Sequence, residues 1–267
     1  MDSFRSRHFG LRHMLVAFVS QRLFGNYTYT IRHGLASGMR RKGGLGFLPV
    51  NSGETAETEF LRKLPLAGKV VYDVGAFEGV ITLFFASKAK QVFSWEPNPR
   101  NYARATTNVR LNNLTNVQIL NRGISNVPGT IDLLYDPLMP GAGSGDAAIK
   151  DQIGGSVKSA QRISIPVCRL DDEVAQNSLP LPDLVKIDIE GMELQALQGM
   201  HALLMDHRPE LYIEMHGATA KEKVENAQAV TSYLEERDYR MYDVENANYI
   251  RRATLHDRHP GHLYCTA

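Results

Sequence analysis

The run Val70-Val71-Tyr72-Asp73-Val74-Gly75-Ala76-Phe77-Glu78-Gly79, followed by Val92-Phe93-Ser94-Trp95-Glu96-Pro97-Asn98, decides the fold. It reads as a buried strand, a glycine turn that opens a helix, and a second strand that ends in an acid. An open α/β sheet grips a nucleoside in this way. Backbone comes close at the turn, and a carboxylate about 20 residues further on meets the ribose hydroxyls. Outward from this core, helix and strand patterns alternate from residue 54 onward, which predicts βαβ units in a mostly parallel sheet. Seven strands are expected, at 70–74, 91–95, 117–121, 184–188, 210–214, 239–243 and 262–266. Helices are expected near 54–64, 79–88, 98–112, 191–205 and 221–236, covering both faces. Two alternating segments, 129–135 and 162–167, are expected to pair as an added hairpin. The connection between them carries Gly141, Gly143, Gly145, Gly154 and Gly155 and reads as a mobile lid or binding loop, or as disorder without function.

With 267 residues, 43% of them hydrophobic and 22% charged, the chain can bury the core of one large domain with a terminal extension. Its formal charge of +1 hides an asymmetry. Residues 1–45 hold eight basic side chains (Arg5, Arg7, Arg12, Arg22, Arg32, Arg40, Arg41 and Lys42) against a single acid, Asp2. Within them Leu11, Met14, Leu15, Phe18, Val19 and Leu23 recur at three- and four-residue spacing, which predicts an amphipathic helix. The expected organisation is therefore a basic, partly helical extension, 1–50, and an α/β domain, 51–267. A basic amphipathic helix suits an anionic membrane surface or an acidic partner, and equally suits packing on its own domain or on a second subunit of a homo-oligomer. The apolar stretch Met14–Val19 is too short for a membrane span, and no small-residue cleavage site follows it. Cys168 and Cys265 form no C-x-x-C pair, so neither a disulfide framework nor a thiolate zinc site is indicated, and a cytoplasmic setting is expected.

The turn discriminates between nucleotides. In the dinucleotide fingerprint a second glycine lets the backbone approach a pyrophosphate, yet the corresponding place in Gly75-Ala76-Phe77-Glu78-Gly79 holds Phe77. That argues against NAD. S-adenosylmethionine has no phosphate and carries an ammonium and a sulfonium, which favour nearby acids such as Asp73 and Glu78.

These residues resemble the FkbM-type methyltransferases, Rossmann-like class I enzymes that use S-adenosylmethionine. The resemblance rests on Asp73–Gly79, Trp95-Glu96-Pro97-Asn98-Pro99, Val185-Lys186-Ile187-Asp188-Ile189-Glu190-Gly191-Met192-Glu193 and Leu211-Tyr212-Ile213-Glu214-Met215-His216. It implies methyl transfer to oxygen, with sugars, glycolipids and polyketide-like natural products as typical acceptors. It also implies a cofactor site of Asp73, Gly75, Ala76, Phe77, Glu78 and Gly79 around the methionine end and Glu96, Pro97 and Asn98 around the ribose. Asn121, Arg122, Gly123 and Ile124 would border the adenine, and Asp188 would lie at the reacting end. Where such families commonly place a small or amide residue in the first turn, this chain has Phe77.

The reacting centre of such a sheet lies beyond the carboxyl ends of the strands, at the switch point of strand order. Asp188 and Glu190 leave one strand there, and Glu214 and His216 leave the next. Methyl transfer is an in-line displacement, so holding oxygen, methyl and sulfur collinear is the main task. A hydroxyl acceptor must also lose a proton. His216, whose unperturbed pKa lies near neutrality, is the expected base, with Asp188 or Glu190 competing. Asp188, Glu214 and His216 would also suit Mg²⁺ or Mn²⁺, although strand-end carboxylates equally offset helix dipoles without any ion. His256, His259 and His262 are evenly spaced, but Pro260-Gly261 breaks any helix that would align them, and a solvated turn is the plainer reading.

Nucleic-acid methylation is not expected, because no Asn or Asp followed by two prolines and an aromatic ends the fourth strand to receive a flipped base. N- or nucleic-acid methylation and a non-catalytic module that binds S-adenosylmethionine without turnover remain the alternatives. A mere binder would not require the acid and imidazole set at 188, 190, 214 and 216.

Overall fold

The computed structural model describes residues 24–44, 54–136, 139–156, 160–255 and 260–267. Its elements run β1 (Thr28–Thr30), β2 (Arg40–Lys42), α1 (Ala56–Lys63), β3 (Val70–Val74), α2 (Val80–Ala86), β4 (Gln91–Trp95), α3 (Pro99–Leu111), β5 (Val117–Leu120), β6 (Gly123–Ile124), β7 (Gly129–Asp136) and β8 (Met139–Ser144). There follow α4 (Ala147–Ser156), β9 (Gln161–Cys168), α5 (Leu170–Asn177), β10 (Leu184–Ile187), α6 (Glu193–Gly199), β11 (Glu210–Glu214), α7 (Ala220–Glu235), β12 (Arg240–Asp243), β13 (Asn248–Ile250) and β14 (His262–Thr266).

The main sheet has the order β13-β12-β14-β11-β10-β3-β4-β5. From β5 to β11 all pairs are parallel, and β14, β12 and β13 add on antiparallel. This is the expected doubly wound, Rossmann-like arrangement. The seven expected strands are present, and the three-residue β13 makes an eighth as a hairpin with β12. A run as short as Asn248-Tyr249-Ile250 carries too few alternations to register as a strand in the sequence.

Strand β3 is buried on both faces, as a parallel strand covered by helices must be. Val70, Tyr72 and Val74 pack with Phe93 and Trp95 on one face, while Val71 packs with Phe84, Phe85 and Val92 on the other. Strand order reverses between β3 and β10, which places a cleft above their carboxyl ends. Helix starts are set locally. Asn98 accepts a hydrogen bond from the Arg100 amide at 3.0 Å with Pro99 at the first helical position, and Thr219 and Glu222 form a capping box. The helix expected over 191–205 is broken. It stops at Gly199, where a Cβ would stand 2.0 Å from the Ser125 carbonyl oxygen, and a π turn follows at Leu203–His207.

The expected hairpin forms as β7 against β9, in register from Gly129 opposite Val167 to Tyr135 opposite Gln161. It belongs to a four-stranded sheet, β6-β9-β7-β8. The glycine-rich connection is not the open loop expected, because β8 and α4 occupy it. Ile149 and Ile153, one helical turn apart, are buried and give α4 its apolar face. Residues 24–44 of the extension form the β1–β2 ribbon, docked on α3. Asn108 and Asn112 accept the Lys42 and Arg40 amides, each at 2.8 Å, and Arg104 donates to the Gly25 carbonyl at 2.6 Å. The amphipathic pattern over residues 11–23 lies outside the described residues, as do His256 and His259. Among the described residues, no helix is long and apolar enough to cross a membrane.

Candidate active site

A cleft of about 260 Å³ opens at the switch point, and residues from both sheets line it. One end is built by main chain. Gly75 has φ +88, and a Cβ there would lie 1.8 Å from the Asp188 carbonyl oxygen, so no larger residue fits. Its amide and that of Ala76 donate to the Trp95 carbonyl at 2.9 and 3.1 Å, which ties the turn to β4. Phe77 lies in the left-handed region at φ +50, a conformation an aromatic residue rarely adopts. Its amide is thereby aimed at Glu96 Oε2, at 2.7 Å. Glu96 Oε1 accepts from the Asn98 amide at 2.9 Å and from Asn101 Nδ2 at 3.4 Å. Burial pushes the Glu96 carboxyl up to about 7, against the pull of these amides.

The other end is built by charged side chains. His216 is 3% exposed. Its Nδ1 lies 2.9 Å from Glu193 Oε1, and its Nε2 lies 3.3 Å from Glu214, 3.6 Å from Glu190 and 3.8 Å from Asp188. Burial alone would lower its pKa, but the Glu190 carboxylate, with Glu193 and Glu214, outweighs it and holds the ring well above its ordinary value. Glu190 is pushed up to about 7 by burial, and its Oε2 has no hydrogen-bond partner. Its backbone sits at φ +52, and its carbonyl accepts from the Ser144 hydroxyl at 2.6 Å, which pins it to the end of β8.

Between the two ends stands Lys186. Its Nζ donates to the Gly75 carbonyl at 3.1 Å and to Asp188 Oδ2 at 3.0 Å, and lies 3.4 Å from Asp73 Oδ1. Burial opposes its charge, but the carboxylates of Asp188 and Asp73 prevail and raise its pKa. Asp73 in turn accepts from the Thr82 hydroxyl at 2.6 Å.

Of the residues expected from the sequence, Gly75, Phe77, Glu96, Pro97, Asn98, Gly123, Ile124, Asp188, Glu190, Glu214 and His216 line the cleft together. Asp73, Ala76, Glu78, Gly79, Asn121 and Arg122 do not. Asp73 lies beneath the turn as the partner of Lys186. The acid at Glu78 turns the other way, where Arg41 of the ribbon holds it. Gly79, at φ +81, opens α2 and presses on Ala105, where a Cβ would meet the alanine Cβ at 3.0 Å. Asn121 donates to the Glu96 and Pro97 carbonyls at 2.8 and 3.1 Å, and Arg122 pairs outward with Glu173 at 3.1 Å.

The sequence reading missed Lys186, Glu193 and Asn101. It also missed the apolar roof contributed by Ile131, Leu133, Ile165 and Val167 of the smaller sheet and by Met192. A lysine inside the apolar run Leu184-Val185-Lys186-Ile187 was the available signal, because a charge in a strand buried on both faces needs partners. Ligand atoms of Asp188, Glu214 and His216 lie within 4.8 Å of one another, close enough to share a cation.

Residues 73–241 match the model of the methyltransferase FkbM domain. Among characterised proteins, the chain is 28% identical to methyltransferase sdnD of Sordaria araneosa, over 49% of this chain and 60% of that protein. It is 31% identical to the hexuronic acid methyltransferase AglP of Haloferax volcanii, over 49% of each. It is 29% identical to the 2-O-methyltransferase NoeI of Sinorhizobium fredii, over 49% of this chain and 56% of that one. The chain thus spans about half to three fifths of the length of these relatives. A crystal structure of an FkbM methyltransferase from Methylobacillus flagellatus is similar at 22% identity with a TM-score of 0.49, covering 79% of this chain and 48% of that one.

Proposed function

Because the chain belongs to the methyltransferase FkbM domain family, we propose that its cleft transfers the methyl group of S-adenosylmethionine to a hydroxyl of a sugar, glycolipid or polyketide-like acceptor. The observation that carries this reading is the meeting of two differently built ends in one cleft: the Gly75–Glu96 turn and the Asp188, Glu190, Glu214 and His216 cluster. Two relatives act, by their names, on hexuronic acid and at a 2-O position, which supports an oxygen acceptor.

The residues present suit the cofactor. Glu96 offers a buried carboxylate at the end of β4, where a ribose would be held. Phe77 replaces the open backbone a pyrophosphate needs, and an acid-lined cleft favours a cationic donor. Gly75, Phe77, Glu96, Pro97, Asn98 and Asn101 would hold it, with Gly123 and Ile124 against the adenine. When bound, it supplies a methyl group made electrophilic by the sulfonium.

The protein's own work is to orient the acceptor and remove its proton. The carboxylates around His216 hold its pKa well above the ordinary value, which makes the ring a poor proton acceptor and favours a carboxylate as the base. Glu190 fits best: it lines the cleft, has a free oxygen, and titrates at about 7. His216, 3.6 Å away, favours the ionised form of Glu190 before the step; Glu190 then takes the proton of the acceptor hydroxyl and becomes neutral as the oxygen takes the methyl group. Incubating the pure protein with methyl-labelled S-adenosylmethionine and a panel of glycosides, lipid extracts and polyketides tests the reading. A labelled product heavier by one CH₂, stable to conditions that cleave esters, is expected. Tight cofactor uptake with no labelled product from any hydroxyl acceptor would instead favour the non-catalytic module.

A further inference from the structure

We propose that His262 is a positioning residue for this reaction, holding the Glu214 carboxylate between two imidazoles so that the second of them, His216, stays fixed beside the acceptor. The inference rests on the methyltransferase reading of the cleft. It concerns residues that the family match does not reach, since His262, Glu245 and Glu57 all lie outside residues 73–241.

The geometry begins with register. His262 stands directly opposite Glu214 across the antiparallel β11–β14 pair, so the two side chains share a face. The Tyr212 ring, diagonal to it, stacks on the imidazole at 5.5 Å. Glu245 fixes the ring from behind: Oε2 accepts from the Gly261 and His262 amides at 3.1 and 2.9 Å, and Oε1 takes Nδ1 at 2.5 Å. The approach is so close that a Cβ on Gly261 would lie 2.7 Å from Glu245 Oε1. With Nδ1–H committed to Glu245, Nε2 is left facing Glu214 Oε2 at 3.6 Å and Glu57 Oε1 of α1 at 4.0 Å, buried and without a hydrogen-bond partner. The other oxygen of Glu214 meets His216 Nε2 at 3.3 Å. A carboxylate 34% exposed would otherwise be free to turn to solvent, and His262 removes that freedom.

Charge and orientation act on the His216 midpoint with opposite signs, and a Glu214→Gln background, in which there is no carboxylate to release, separates them. His262 is faced by Glu57, Glu214 and Glu245 beside the Tyr212 ring, and His216 is faced by Asp188, Glu190, Glu193 and Glu214. Deleting a neighbouring cation by charge alone would raise the His216 midpoint. Release of Glu214 would lower it. In the full chain with isotope-labelled histidine, His262→Phe retains the stack on Tyr212 and removes the hold on Glu214. The His216 ring titration followed by NMR is expected to fall by about one pH unit or more. Calorimetric uptake of S-adenosylmethionine is expected to stay unchanged, and kcat to fall with KM for the donor held. Glu214→Gln should give the same fall, with no further fall in the double variant. A shift of the His216 midpoint on His262→Phe that is the same in the wild-type and in the Glu214→Gln background, in folded proteins, overturns the proposal. Should that variant not fold, Glu245→Gln loosens His262 from its other side: a smaller fall supports the proposal and no fall overturns it. Failure of the wild-type protein to take up S-adenosylmethionine would defeat the methyltransferase reading itself, while the titration would still decide the His262–Glu214–His216 arrangement.

Discussion

The two ends of the cleft reach rigidity by opposite means. At the turn between β3 and α2, main chain does the holding: Gly75 is pressed against Asp188, and Phe77 is bent into the left-handed region so that its amide meets Glu96. At the ends of β10 and β11, side chains do it, through an imidazole ringed by four carboxylates drawn from residues 188 to 214. A main-chain site tolerates little change in shape, and protons act on it through Glu96, whose carboxyl is pushed up to about 7. A charge network tolerates changes of shape and is governed by protons. On the proposed function, donor binding and acceptor activation should therefore be separable by mutation.

The largest expected effect falls on the first end. Gly75→Ala places a methyl 1.8 Å from a backbone oxygen at φ +88, and neither β3 nor the start of the loop after β10 can yield without breaking sheet pairing. Loss of measurable S-adenosylmethionine uptake by calorimetry is expected, with destabilisation of about 3 kcal/mol or more in denaturant. A Gly75→Ala protein that binds the donor normally would show that the turn is not rigid.

Next in size is the link between the ends. Lys186→Met leaves Asp73, itself fully buried, without its cation and Asp188 with only His216 at 3.8 Å. Breaking a buried pair on one side costs about 3–5 kcal/mol, measurable as a shift in the urea midpoint. A double change that also replaces Asp73 with Asn should recover part of this loss, and no recovery would mean that Lys186 matters through Gly75 rather than through charge.

The same contrast explains what was legible in the sequence. The turn end is nearly contiguous: one strand, one turn and the acid after the next strand fall within Val70–Asn98, and local pattern was enough to bring Gly75, Glu96 and Asn98 together in one cleft. Even there, Glu78 was placed wrongly, because its partner Arg41 comes from a ribbon with no periodic signal. The acceptor end gathers residues from β10, α6, β11 and β14. Its acids could be guessed from strand ends, but not the proton that they jointly hold on His216, since that depends on distances between separate segments. The roof was missed because Ile131, Leu133, Ile165 and Val167 lie on the expected hairpin, and nothing local in those two segments says that the smaller sheet sets them over the cleft.

Glu190→Gln probes the second end alone. Loss of a positioned base lowers kcat by roughly 10²–10⁴-fold with donor affinity unchanged, and removes a rise of activity with pH centred near 7. Stability should move the other way. A carboxyl raised from 4.5 to about 7 on folding is penalised when ionised, so wild-type stability falls as pH rises through that interval. Glu190→Gln abolishes the penalty and should raise Tm by a few degrees above pH 7. A variant that is both slow and less stable would argue that Glu190 is structural.

The smallest effect is on the outer imidazole, and its sign is distinctive. Burial disfavours the charged ring of His262, but the carboxylates of Glu214 and Glu245 override it and push its pKa from 6.5 up to about 10. A base whose pKa rises on folding contributes stability that is fully present below its unfolded value and is lost as pH climbs through the folded one. Tm should therefore decline between pH 6.5 and 10, a range that runs well beyond the value of about 7 to which Glu96 at the main-chain end is pushed. His262→Gln lacks the proton and should show a flatter profile, lying below wild type at neutral pH and converging with it near pH 10. Parallel curves for the two proteins would mean that the carboxylates do not hold that proton, and the contrast between a shape-governed end and a proton-governed end would then stop at His216.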